Sequence, residues 1–193
     1  AAEVERLPVG CGNALKPLAE FFRVAGRSDD TLVLQGELSC CDFVGWQMDG
    51  GMLVAEGSVG DYAGGGMKAG TLSVQGSAGE LAACEMAGGT LDIAGNVGDF
   101  AASTLPGSMD GMRGGTLVVK GNAGARLGDR MRRGTAVVFG RTGDFTASRL
   151  VAGTIALAGR AGAHVGYGMR RGSIVFAGPA PEVSATFVPA VAG

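Results

Sequence analysis

Three aspartates stand where paired carboxylates could do chemistry: Asp61, Asp99 and Asp144, each preceded by glycine and followed by an aromatic residue, Tyr62, Phe100 or Phe145. Carboxyl groups held roughly 6.5–9.5 Å apart carry out inverting glycoside hydrolysis. A β-helix enzyme acting on an anionic polymer is therefore one reading, with the aspartates as acid and base. The other is structural: a Gly-Asp-aromatic corner places a carboxylate where it accepts backbone N–H bonds in a turn. Repetition favours the second, because a catalytic pair has no reason to be copied along a chain. His164, the only histidine, has no phased Ser, Cys or acidic partner and makes neither a triad nor a metal site. Cys11, Cys40, Cys41 and Cys84 form no CxxC and no Cys/His metal spacing. Adjacent Cys40 and Cys41 would lie on opposite faces of a strand, and reduced thiols of a cytoplasmic protein are expected. Glycine strings such as GGGMKAG (residues 64–70) lack the GK[ST] ending of a phosphate loop. The expectation is no catalytic residue, no metal and no cofactor in this chain.

The elements that position these residues are read from the glycines. Anchors at Gly51, Gly70, Gly89, Gly115, Gly134, Gly153 and Gly172 are spaced by 19 residues, except for one step of 26. The extra seven residues lie around Ser103 to Asp110, and an irregular first copy starts near Asp30. Further glycines follow six and nine residues after each anchor, among them Gly121 and Gly124, Gly140 and Gly143, and Gly159 and Gly162, as turn glycines. Residues two and four after the anchor are apolar, as in Leu72/Val74 and Ile155/Leu157. That period of two marks a half-buried strand. Met67, Met86, Met112, Met131, Leu150 and Met169 recur at a fixed place and are expected to fill the core.

A unit of about 19 residues cannot bury its own strand face, so the copies must stack. The fold expected is all-β: a right-handed parallel β-helix, a solenoid of about eight coils, handed by the general rule for parallel crossovers. Residues 1–30 read as a leader and short N-terminal cap, with a helix from Pro17 to about Val24 presenting Leu18, Phe21 and Phe22. Residues 31–178 form the solenoid and 179–193 a tail. No apolar run is long enough to span a membrane as a helix, and no secretory leader is evident.

Charge is unevenly placed. Residues 1–112 carry 15 acids and 5 bases, whereas residues 113–171 carry 11 bases and 2 acids. In stacked coils Arg132 and Arg133 share ladders with Arg170 and Arg171, beside Arg130 and Arg149 and near Arg126. Such a stripe would attract an anionic partner over about a Debye length, ~8 Å. Its alternative is a solvated face that keeps strand edges soluble. Nucleic acid fits poorly, since only 6% of residues are aromatic and the net charge is −2.

The phased Gly-x-x-x-x-x-Gly-x-x-Gly coils, the GNAG and GDF signatures, and the MRRGT and GMRRGS joints resemble the GXGXG β-helix domain. More specifically they resemble the C-subunit family of formylmethanofuran dehydrogenase, whose bacterial counterpart belongs to the formyltransferase/hydrolase complex of methylotrophs. The leader LPVGCGNALKPLAEFF and the long coil PGSMDGMRGGTLVV resemble that family's entry segment and insertion. Glutamate synthase carries a more distant version fused to amidotransferase domains. The resemblance implies a non-catalytic subunit of a cytoplasmic one-carbon assembly. Its partners would be a formyltransferase subunit, an amidohydrolase-like subunit and a molybdopterin-enzyme-like subunit. Methanofuran or methylofuran and tetrahydromethanopterin would act at the level of the complex. The carrier's poly-glutamate tail would meet Arg126, Arg130, Arg132, Arg133, Arg149, Arg170 and Arg171.

Overall fold

The computed structural model describes residues 2–25, 31–178, 180–183 and 187. Residues 26–30 of the expected leader and most of the expected tail lie outside the described residues. The chain divides into two compact units, Ala1–Thr31 and Leu32–Gly193.

The first unit holds a one-turn helix α1 (Ala2–Glu5) and an antiparallel hairpin of β1 (Pro8–Cys11) and β2 (Ala14–Pro17). The hairpin closes on Gly12 and Asn13, with Gly12 at φ +58° as a two-residue turn requires. The helix expected from Pro17 to Val24 is not there. Pro17 pairs with Pro8 and has ψ 142°, so it ends a strand, and only a 3₁₀ turn, Leu18–Glu20, follows. The Leu18 N–H donates to the Leu7 carbonyl at 2.8 Å, which commits the start of that segment to the hairpin. Phe21 is 45% exposed.

The second unit is the solenoid. Strands β3 (Thr31–Leu34), β4 (Asp49–Ala55), β5 (Ala69–Val74), β6 (Thr90–Ile93), β7 (Arg113–Val119), β8 (Arg133–Val138), β9 (Thr154–Leu157) and β10 (Ser173–Phe176) form one eight-stranded sheet in chain order. From β4 to β10 every pairing is parallel. The register matches like with like: Leu53, Leu72, Leu91, Leu117, Ala136, Ile155 and Ile174 make one column. From Leu72 to Ile155 that column is fully buried. Each large aliphatic side chain in it contributes about 1.5–3 kcal/mol of burial. A second line of parallel bridges, Ala78, Val97, Ala123, Thr142 and Ala161, ties the coils together on another side.

Met67, Met86, Met112, Met131 and Leu150 fill the bore as expected and are fully buried, whereas Met169, in the last coil, is only half-buried. They also account for the anchors. A Cβ on Gly134 would stand 3.0 Å from the Met112 methyl and 2.8 Å from the Gly115 carbonyl, at φ +94°. The glycines that follow turn corners by close approach: a Cβ on Gly159 would lie 2.1 Å from the Gly140 carbonyl.

One corner of each coil departs from ordinary backbone. Phe43, Tyr62, Leu81, Phe100, Arg126, Phe145 and His164 occupy the same place in successive coils, and all have φ between 57 and 62°. From Phe43 to Phe145 their N–H groups donate to the next coil, for example Tyr62 to Glu80, Leu81 to Asp99 and Phe100 to Ala125. The left-handed region costs a side-chain-bearing residue on the order of 1 kcal/mol, and these interstrand bonds hold it there.

Candidate partner and anion-binding surfaces

The arginines expected to form a stripe fall into two groups. Arg132 and Arg170 occupy one column, since the N–H of each donates to the preceding coil, to the Met112 and Leu150 carbonyls at 2.8 Å. Lys68, Arg113 and Val151 donate in the same way, so the column reads Lys68, Ala87, Arg113, Arg132, Val151, Arg170. Arg133 and Arg171 stand beside it. Arg133, Arg170 and Arg171 are exposed and, among the described residues, have no side-chain partner. Arg132 is held by an ion pair to Asp110.

Beyond the other end of the strands, Arg141 and Arg160 lie exposed in adjacent coils. The outer face of β8–β10 is thus bordered by arginine on both sides. Between them run Thr135, Thr154 and Ser173, then Val137, Ala156 and Val175. Phe139, 55% exposed, adds an apolar group to this face.

The remaining three arginines are committed within the chain. Arg126 lies between two rings, its guanidinium carbon 5.9 Å from the Phe100 centroid and 4.9 Å from that of Phe145. Arg130 packs its guanidinium against the Met109 sulfur, a weak acceptor. Arg149 forks onto Asp129, Nε to Oδ1 at 2.9 Å and Nη2 to Oδ2 at 2.5 Å. Asp129 is only 3% exposed, and Ser148 Oγ donates to its Oδ1 as well. Burying a carboxylate to this degree is costly unless it is paired and hydrogen-bonded, as it is here.

Asp129, Arg130 and Arg149 line one end of a cleft of about 650 Å³ beneath the seven-residue insertion. The insertion is pinned from both neighbouring coils. The Leu105 N–H meets Glu85 Oε1 at 3.4 Å, and Arg130 and Arg132 hold Met109 and Asp110. Met109 at its tip is 68% exposed. A second cavity, about 1010 Å³, lies at the last coil, between Gly162–Gly172 and the residues Pro181–Val183 and Phe187.

A solved structure, that of the formyltransferase/hydrolase complex (FhcABCD) from Methylorubrum extorquens with methylofuran, contains a chain of the same fold. The two align with a TM-score of 0.88 and 41% identity, covering 97% of this chain and 70% of that one. The chain belongs to the family of that complex's subunits. No protein-family model and no curated protein matches it.

In this member of the family the three aspartates serve the stack. Asp61 Oδ1 accepts the Glu80 N–H at 2.8 Å, Asp99 Oδ1 that of Ala125 at 2.7 Å and Asp144 Oδ1 that of Ala163 at 2.8 Å. The donor belongs to the following coil, not to the aspartate's own turn. Asp42 does the same for Asp61 at 2.8 Å, and the irregular first copy hid it. A second such ladder passes from Ser58 through Ser77 and Asn96 to Asn122, each side-chain oxygen accepting the N–H of its counterpart one coil on. Only the position shared by these serines and asparagines, just after the second glycine, could have revealed it.

His164 stacks on Phe145, centroids 4.8 Å apart. All four cysteines are free. Cys40 and Cys41 sit in a turn after β3, not in the strand expected of them, because the chain bends there to form the corner leading to Asp42. Burial raises the Cys41 thiol, with Cys40, Asp42 and Glu37 adding to it. Burial also pushes the Cys84 thiol up to about 12, with a lesser push from Glu85. The Trp46 ring covers the Cβ-less side of Gly65 next to the Cys84 sulfur. Ser39 hydrogen bonds hold the Glu37 carboxyl below its usual range. Among the described residues no group of three or more His, Cys, Asp or Glu could hold a metal ion, and no helix is long and apolar enough to cross a membrane.

Proposed function

We propose that this chain is the C-type, non-catalytic subunit of a formyltransferase/hydrolase complex. It positions a formyltransferase subunit, an amidohydrolase-like subunit and a molybdopterin-enzyme-like subunit around a rigid stack of coils. The observation that carries this reading is the 41% identity over 97% of the chain. The commitment of Oδ1 of Asp61, Asp99 and Asp144 to backbone donors supports it, since a carboxylate serving the ladder is poorly placed as a general acid or base. Four free thiols suit the cytoplasm.

The related complex was solved with methylofuran, and in this reading methylofuran or methanofuran and tetrahydromethanopterin are used by the sister subunits. The poly-glutamate tail of the carrier runs over the face bordered by Arg133, Arg170 and Arg171 on one side and Arg141 and Arg160 on the other. Weight thus shifts from Arg126, Arg130 and Arg149, which have partners within the chain, to these five exposed residues. The test is formyl hydrolysis by the reconstituted complex carrying Arg133→Glu, Arg170→Glu and Arg171→Glu. KM for a long-tailed carrier should rise several-fold with kcat kept, while a carrier with a shortened tail responds little. Equal responses of both carriers would remove the tail contact and leave the scaffold role standing.

A further inference from the structure

The left-handed corner column is a continuous stack with one gap. Tyr62 lies on Phe43 with centroids 4.6 Å apart and planes 6° from parallel. Two coils later Phe100, Arg126, Phe145 and His164 stack in unbroken succession. Between Tyr62 and Phe100 stands Leu81, which is branched, short and only 9% exposed. Glycine occupies other left-handed positions, such as Gly64, Gly66 and Gly128, but never this one. A side chain is therefore kept here in every coil against the preference of the backbone.

The gap has a filled counterpart in the same column. Phe100 and Phe145, two coils apart, hold the Arg126 guanidinium between them. Tyr62 and Phe100 are likewise two coils apart, about 9.6 Å by the spacing of paired strands, with no planar group between. The insertion cleft opens at this place, lined there by Tyr62, Leu81, Phe100 and Pro106. Glu80, next to Leu81, is exposed, and its carboxylate has no partner among the described residues. Of the positive groups lining the cleft, Arg149 is neutralised by Asp129. Arg130 lines the other end of the cleft, two coils further along, where its guanidinium lies against the Met109 sulfur.

We propose that the gap over Leu81 is a docking slot for an arginine side chain presented by a partner protein. The guanidinium would enter between Tyr62 and Phe100 as Arg126 does between Phe100 and Phe145, with Glu80 as its counter-ion. Arginine is preferred to lysine because its flat group can stack on both faces. A protein is preferred to a free guanidine because the exposed Met109 and the neighbouring Pro106 form an apolar rim beside the slot. The slot does not depend on which assembly the chain joins.

The test is a titration of the full chain with the blocked tripeptides Gly-Arg-Gly, Gly-Lys-Gly and Gly-Phe-Gly, followed by NMR of the Tyr62 and Phe100 rings. The arginine peptide should give saturable shifts, and bind about tenfold tighter than the lysine peptide. Leu81→Phe, which fills the gap with a residue type already present at Phe43, Phe100 and Phe145, should abolish binding without lowering the melting temperature. Should that variant fail to fold, Phe100→Leu provides the same comparison. Glu80→Gln should weaken binding several-fold and reduce its salt dependence. Equal binding of arginine and lysine, tighter binding of the phenylalanine peptide, binding that survives the filled gap, or no saturable shift would each overturn the proposal.

Discussion

The Arg149 guanidinium forks onto the Asp129 carboxylate one coil away, and the carboxylate is 3% exposed. Removing one partner of a buried pair costs more than removing both, because the survivor is left charged without compensation. The Arg149 side chain is itself 42% exposed and Ser148 still donates to the carboxylate, so Arg149→Met should lower unfolding stability by about 1–3 kcal/mol, and adding Asp129→Asn should restore most of it. Urea unfolding of the two single variants and the double checks this, and additive losses would contradict it.

The aspartate corners give a second expectation. Asp144→Asn keeps an acceptor for the Ala163 N–H, so stability should change by less than about 0.5 kcal/mol, whereas Asp144→Ala should cost about 1 kcal/mol. The reconstituted complex carrying Asp144→Asn should retain its activity within a few fold. Loss of turnover with the fold intact would revive the enzyme reading.

Burial of Cys84 fixes a pH dependence. The unfolded thiol ionises near its usual value, while the folded one stays protonated up to about 12. Between those values the unfolded state binds fewer protons, so stability must fall as pH rises. The slope should be about 1.4 kcal/mol per pH unit at most. Cys84→Ala should flatten this alkaline limb. At neutral pH the exposed Cys11 and Cys40 should react with a maleimide long before Cys84.

Close approach between coils can be tested at one glycine against another. A Cβ on Gly159 would stand 2.1 Å from the Gly140 carbonyl, but on Gly178 the nearest atom is 3.9 Å away. Gly159→Ala should cost about 2–3 kcal/mol, and Gly178→Ala almost nothing, as read from thermal melts.

Much of this architecture is legible in the residues themselves. Period two at Leu72/Val74 and its repeats marks the strands, and the 19-residue spacing marks the stack. The placement of Met112 beneath Gly134 shows why the two recur together. The hairpin of the leader was hidden because Pro17 fits the start of a helix as well as the end of a strand. The left-handed corner was hidden for a different reason: Leu81, Phe100 and Arg126 have nothing in common as residue types that would announce positive φ. The pairing of Asp129 with Arg149 is hidden in the sequence because it crosses from one coil to the next at an offset of 20 residues. That pairing, with the insertion salt bridge at Arg132, is what divides the expected arginine stripe.

The proposed scaffold role within a formyltransferase/hydrolase complex is tested most directly by purifying the tagged full chain from its native cells at low salt. Mass spectrometry then identifies the co-eluting subunits, and formyl transfer and hydrolysis are assayed. Formyltransferase and amidohydrolase-like polypeptides are expected in fixed proportion to the chain, with activity in the assembly and none in the isolated chain. A chain that elutes alone and itself turns over a polymer would contradict the scaffold role.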